Sequence, residues 1–272
     1  MKHPPRFTIP NDTGGFGSDG NFRVTGSELH HMRDVMRLRP GTEVTLCSPN
    51  GLEYAGRIAS FEPNAVIITV AATPYHQQSI SPRLILAAGV IKAARMDLLI
   101  EKAAELGAAE FWPLRCARSV VREPGSERWE RWRRISLAAA KQSLRSRAME
   151  VHELAEVGAM ARRVPKTSFA AICTAGAKPL SAAVRGMPGS LKVCPAVVLA
   201  IGPEGDFTPE ELAVMRDAGF VSAGLGNNRL RSETAALAAL SIVTGIFAEL
   251  EERENAAQAA QAGAEASADE DT

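Results

Sequence analysis

From residue 83 to residue 250 the chain repeats one pattern: a short apolar run, a polar or glycine-bearing break, then a helix-forming stretch. The runs at 84–89, 109–114, 170–173, 196–201 and 220–225 are too short for helices. They are rich in apolar residues, which predicts strands buried within a sheet. Helices are expected over 97–106, which stops at Gly107, over the basic stretch 126–147, and over 232–250. Strands and helices in strict alternation predict an α/β fold with a mainly parallel sheet.

The amino-terminal part reads differently. Residues 43–47, 54–61 and 65–70 are strand-like, and the first two are separated by the turn Ser48-Pro49-Asn50-Gly51. A helix is expected over 27–38, with Ser27 as N-cap and a stop before Pro40-Gly41. The segment 73–82 is polar, carries prolines and reads as a linker. The expected division is therefore a small β-rich domain over 1–73 and a larger α/β domain over 82–252. The remainder, 253–272, is Ala-rich, acidic and without aromatics, and is expected to be disordered.

Composition excludes some classes of function. No uninterrupted apolar run reaches the ~18 residues of a membrane span, and the prolines of MKHPPRFTIP are foreign to a signal peptide. A soluble, cytoplasmic protein is expected. Cys47, Cys116, Cys173 and Cys194 form no C-x-x-C pair, and the five histidines lack ligand spacing, so neither a disulfide framework nor a metal is expected. The formal net charge of zero conceals a separation. Residues 251–272 hold seven acidic groups and one basic, which leaves the rest of the chain with 30 Lys/Arg against 24 Asp/Glu. Ten Lys/Arg against three Glu lie between residues 115 and 147, a density suited to phosphates but equally to a solvated helix face.

Two loops carry the chemistry. In AVVLAIGPEGDFTPEEL a buried strand ends in Gly202-Pro203-Glu204-Gly205, and a helix follows with Thr208 as N-cap, Pro209 at its first position and Glu211 completing a capping box. In GLGNNRLRSETAALAAL another strand ends at Leu225-Gly226, and the connection to the last helix carries Arg229, Arg231 and Glu233. Glycines at the carboxyl ends of strands let a ligand approach backbone amides. A tight strand-to-helix turn explains each loop equally, and neither the G-x-G-x-x-G nor the P-loop pattern is present. Arg231 and Glu233 also fit a surface ion pair and a helix-start carboxylate.

Together these loops resemble the knotted methyltransferases of the SPOUT superfamily, and within it the RsmE-type 16S ribosomal RNA uridine N3-methyltransferases. The similarity runs to about residue 250. HHMRDVMRLRPGTEV is similar to the family's His-x-x-x-Val-Leu-Arg-x-x-x-Gly stretch, with Met36 in place of Leu. Lys92 with EKAAELG, then ARSVV, KQSLRSR, GPEG and LRSETA follow in the family's order. This chain departs from it at Asp206, usually Gly, at Asn228, usually Arg, and at Lys141, usually Glu.

The resemblance implies an amino-terminal PUA-like β-barrel that grips RNA, an α/β domain with a deep trefoil knot, and a homodimer. Leu237, Leu240, Val243, Phe247 and Leu250 form a stripe on the last helix that suits either a dimer interface or core packing. The implied cofactor is S-adenosylmethionine, held by Leu199, Ile201, Gly202, Pro203, Glu204, Gly205, Leu225, Gly226, Leu230, Arg231 and Thr234. The implied substrate is the 16S ribosomal RNA of the small subunit. Arg6, His30, Arg33, Arg37, Lys92, Arg118, Arg122, Gln142 and Arg145 are the expected RNA contacts. Uridine N3 carries a proton that must leave before methylation. Arg231 is therefore assigned to charge stabilisation, with Glu204 and Glu233 as candidate bases; capping of the last helix suits Glu233 equally. Alternatives are a SPOUT enzyme acting on a ribose 2′-hydroxyl or a transfer RNA base, or a non-catalytic RNA-binding assembly factor.

Overall fold

The computed structural model describes residues 4–9, 20–48, 52–70, 75–76, 82–119, 123–143, 145, 147–187 and 194–270. The chain divides into two units: residues 1–78 with 137–148, and residues 79–136 with 149–272. The split after residue 78 falls inside the 73–82 segment. The inclusion of 137–148 in the first unit was not foreseen, because the long basic helix reads as continuous in sequence.

The first unit is a six-stranded sheet with the order β1-β3-β4-β5-β2, and β6 pairs with β4. Its strands are β1 (Arg6–Thr8), β2 (Asn21–Val24), β3 (Glu43–Cys47), β4 (Leu52–Glu62), β5 (Ala65–Val70) and β6 (Tyr75–His76). Every pairing is antiparallel except β1 with β3. Among the described residues no β1–β2 pairing closes the sheet into a barrel. Phe22 and Val24 of β2 alternate with outward residues and meet Leu46, Ile58 and Ile68 in the core. A bulge between Ile58 and Ser60 lets β4 follow β5 through a bend.

The predicted helix over 27–38 is shorter and irregular. Helix α1 is Gly26–His30, preceded by Thr25 rather than Ser27 as N-cap, and Thr25 makes no side-chain cap. It widens into a π-turn over His31–Val35. Arg37 then adopts φ 52, and Leu38 N bonds back to Met32 O at 2.9 Å. This is a left-handed helix stop normally given to glycine; with no Gly or Asn near the end, the sequence offered no signal for it.

The second unit is a seven-stranded sheet, order β10-β8-β7-β12-β11-β13 with β9 on β8, and every pairing is parallel. The strands are β7 (Arg83–Gly89), β8 (Glu110–Arg115), β9 (Glu150–Val151), β10 (Ala155–Glu156), β11 (Phe169–Cys173), β12 (Ala196–Ile201) and β13 (Val221–Ala223). The helices are α2 (Ala93–Glu105), α3 (Ser126–Gln142), α4 (Val157–Arg163), α5 (Leu180–Arg185), α6 (Pro209–Asp217) and α7 (Ser232–Glu270). The order of elements meets the α/β expectation. Strand β12 is buried on both faces because Ala196, Val198 and Ala200 join Met160, Met215 and Phe220 on one side, while α7 covers β7 and β12. Every residue of β12 is thus apolar.

Three expectations about helices are corrected. Helix α2 begins four residues early, where Lys92 follows the end of β7. Helix α3 ends at Gln142, short of residue 147. Helix α7 runs to Glu270, through the segment expected to be disordered; Ala, Gln and Glu are strong helix formers, and no proline interrupts them. Its part Ser232–Arg253 is long and apolar enough to cross a membrane, although no uninterrupted apolar run reveals it. Leu240, Val243 and Phe247 of its stripe are buried within the chain, so core packing accounts for them.

Candidate active site

The two glycine-bearing loops both lie at carboxyl ends of strands in the parallel sheet. The capping box of α6 forms as its sequence requires: Thr208 Oγ1 accepts from Glu211 N at 3.2 Å, and Glu211 Oε2 accepts from Thr208 N at 2.8 Å. Glu211 has a further task, since its Oε1 accepts from Ala117 N at 2.8 Å. The Arg118 guanidinium reaches the same loop, with Nη1 3.1 Å from Gly205 O and 3.4 Å from Phe207 O. The ARSVV stretch is thereby tied to the GPEG loop, and Arg118, expected on RNA, also braces the loop.

The glycines here serve close packing within the chain. A Cβ on Gly205 would lie 2.8 Å from Arg118 Cβ, and one on Gly202 would lie 2.9 Å from Asp206 Oδ1. A side chain at either glycine would overlap the chain's own atoms. Asp206 adopts φ 61, the left-handed conformation that favours glycine. Its Oδ1 accepts from Phe207 N at 2.8 Å, a local bond by which Asp tolerates that backbone. The same φ accounts for the glycine usual at this position.

The expected cofactor residues differ in access. Leu199 is fully buried, and Ile201, Gly202 and Pro203 are buried at the strand end, so they form backing. Leu225, Leu230 and Glu204 are half-buried, whereas Gly205, Gly226, Arg231 and Thr234 are exposed. Gly226 has φ 115 and open space around it. Arg231 makes no ion pair among the described residues, so the expected Arg231–Glu233 pair does not form.

Glu233 is paired with Arg95 instead. Arg95 Nε lies 3.6 Å from Glu233 Oε1, and Arg95 Nη1 lies 3.7 Å from Glu204 Oε1. One guanidinium from the start of α2 therefore faces both candidate bases, Glu204 on the GPEG loop and Glu233 in the first turn of α7. Glu204 Oε2 and Glu233 Oε2 are buried and have no hydrogen-bond partner. Sequence reasoning missed Arg95. The available signal was its place three residues after Lys92, at the carboxyl end of β7, where open α/β sheets bind ligands. Half-buried leucines, open backbone at Gly226 and two orphaned carboxylate oxygens fit a polar, nucleoside-bearing ligand, whose hydroxyl and amino donors such acceptors require.

The RNA candidates fall in both units. In the second, Lys92 is exposed before α2. In the first, His30 Nδ1 and Arg33 Nε lie 2.7 and 3.1 Å from the Asp34 carboxylate. These hydrogen bonds, Arg33's first and then His30's, hold the Asp34 carboxyl below its usual value. Arg6 is ion-paired with the buried Glu53. A cleft of ≈ 190 Å³ gathers Arg6, His31, Lys141 and Arg145, of which His31 and Lys141 were not foreseen. Burial lowers the Arg145 pKa, and Gln142 is exposed. Arg37 is exposed at the left-handed stop, and Arg122 lies outside the described residues.

Residues 79–244 match the model of an RNA methyltransferase domain, and residues 24–71 match that of an RNA methyltransferase PUA domain. Ribosomal RNA small subunit methyltransferase E of Bacillus subtilis is 31% identical over 229 residues, covering 82% of this chain and 89% of the relative. The Mycobacterium tuberculosis protein of that name is 31% identical over 233 residues, covering 81% and 84%. The crystal structure of the Neisseria gonorrhoeae protein of that name, bound to S-adenosyl methionine, superposes with a TM-score of 0.70 at 25% identity. It covers 90% of this chain and 98% of that one.

Proposed function

Because this chain belongs to the RNA methyltransferase family of ribosomal RNA small subunit methyltransferase E, whose members use S-adenosylmethionine, we propose that it methylates N3 of one unpaired uridine in 16S ribosomal RNA. The carrying observation is the convergence of Glu204, from the loop after β12, and Glu233, from the first turn of α7, on one guanidinium. When bound, the cofactor supplies a methyl carbon made electrophilic by its sulfonium, and the C–S bonding electrons return to sulfur. Leu225, Leu230 and the backbone at Gly226 hold it, over backing from Ile201 and Pro203.

The rest falls to the chain's own residues. Glu233 offers a buried carboxylate oxygen without a partner, which suits it to take the N3 proton; Glu204 is the second candidate. Arg231, exposed beside Glu233, stabilises the charge that deprotonation spreads onto the flanking uridine oxygens. N3 lies on the pairing edge, so the base must be splayed out of any helix. Arg6, His30, Arg33, Arg37, Gln142 and Arg145 of the first unit and Lys92, Arg118 and Arg122 of the second contact the RNA backbone. The reading includes a trefoil knot, a pairing of two copies and a cytoplasmic site of action, all supported by family resemblance.

Glu233→Gln tests the proton acceptor. The variant keeps the size and the acceptor oxygen of the side chain, so cofactor affinity measured by calorimetry stays within about threefold. Methyl transfer falls by about 10²-fold or more, the range general bases contribute. Transfer at the wild-type rate removes Glu233 from the mechanism.

A further inference from the structure

We propose that Arg95 is a positioning residue for methyl transfer, holding Glu204 and Glu233 in their reactive arrangement; this rests on the reading of those carboxylates given above. Three observations carry it. First, Arg95 uses different nitrogens for the two glutamates, Nη1 for Glu204 and Nε for Glu233, at 3.7 and 3.6 Å. The planar fork of arginine spans the GPEG loop and the start of α7, which the point charge of lysine does not. Both distances exceed hydrogen-bond range, so the guanidinium orients the carboxylates without consuming their acceptor capacity.

Second, each glutamate presents Oε1 to Arg95 and keeps Oε2 buried without a partner. Leaving a buried acceptor unsatisfied is costly, and two such atoms in one cluster mark a place built for incoming donors. The Glu233 side chain is only 10% exposed. Two carboxylates against one guanidinium leave one negative charge in excess. Without Arg95 the two anions would repel each other and turn toward solvent, and their alignment would be lost.

Third, the position of Arg95 brings its own helix no benefit. It lies in the first turn of α2, which has no acidic residue, and a cation there opposes the helix dipole. An arginine at the unfavourable end of a helix, facing the GPEG loop and the start of α7, is accounted for by what it holds.

The test is a double-mutant cycle on the full-length protein with small ribosomal subunits lacking native modification. Arg95→Gln lowers kcat by about 10–100-fold, the scale of a misplaced reacting group, with the melting temperature unchanged or slightly raised. Arg95→Lys falls between Arg95→Gln and wild type. Arg95→Gln added to Glu233→Gln lowers kcat by less than Arg95→Gln does in the wild-type background, because Arg95 acts in part through that carboxylate. A kcat for Arg95→Gln within about twofold of wild type overturns the proposal. So does a double variant whose losses multiply, or an activity loss that tracks a fall in melting temperature. Failure of the underlying reading is distinct: Glu204→Gln and Glu233→Gln would then each retain wild-type transfer.

Discussion

Gly224 gives the most severe single-atom test of how the second loop is built. A Cβ at this position would lie 2.5 Å from Ala177 O and 3.3 Å from the Ala177 carbonyl carbon. Both are backbone atoms, so no side-chain rotation relieves the overlap. The same stretch is joined by two hydrogen bonds, Gly224 N to Lys178 O at 2.7 Å and Leu180 N to Gly224 O at 2.9 Å. A separation of about 1 Å, needed to restore normal contact, breaks both. Each bond contributes about 1 kcal/mol, and overpacking adds about 1–3 kcal/mol. Gly224→Ala should therefore cost about 3–5 kcal/mol. At about 2–4 °C per kcal/mol for a chain of this size, the melting temperature falls by roughly 6–20 °C. Gly226→Ala is the control: its space is open, and the cost comes only from φ 115, about 1–3 kcal/mol. Thermal denaturation of the two variants beside wild type gives the comparison, with Gly224→Ala the less stable. A shift below 2 °C for Gly224→Ala would refute the packing argument.

Three further outcomes are expected. Thr208→Ala loses one cap bond and about 1 kcal/mol, whereas Glu211→Ala also releases Ala117 N and costs about 2–3 kcal/mol; equal losses in urea denaturation would remove the second task of Glu211. Asp34→Asn frees His30 and Arg33, so RNA affinity rises and the slope of log affinity against log salt steepens by about one; an unchanged slope would take this surface out of RNA binding. Cys116 is buried and its thiol is pushed up from 9.0 to about 12. Between those values the unfolded chain loses a proton that the folded chain keeps, so stability falls as pH rises through that window. Cys116→Ala should lose less stability than wild type between pH 8 and 10, by about 1 kcal/mol; parallel losses would contradict the assignment.

The parallel sheet was legible because strands such as β12 are wholly apolar and end in glycine, and the α6 capping box because its residues act on near neighbours. The Arg37 helix stop and the folding of 137–148 with the first unit were not legible, since each depends on a backbone choice or a tertiary contact that leaves no periodic trace. The continuation of α7 was open to its Ala, Gln and Glu residues but masked by an acidic, aromatic-free composition that reads equally as disorder. The same distinction holds at the site. Glu204 and Glu233 stand in recognisable motifs, whereas Arg95 becomes visible only when β7, β12 and α7 are placed side by side. The glycines of GPEG were legible as necessary but not in their reason, since the crowding by Arg118 and Asp206 comes from distant or folded-back residues.

The account is tested most directly by identifying the atom that receives the methyl group. Wild-type protein is incubated with S-adenosylmethionine labelled in its methyl group and small ribosomal subunits lacking native modification. The RNA is then digested to nucleosides and separated. The account predicts label in 3-methyluridine and nowhere else. Label in a ribose-methylated nucleoside, or in transfer RNA but not 16S ribosomal RNA, would contradict it.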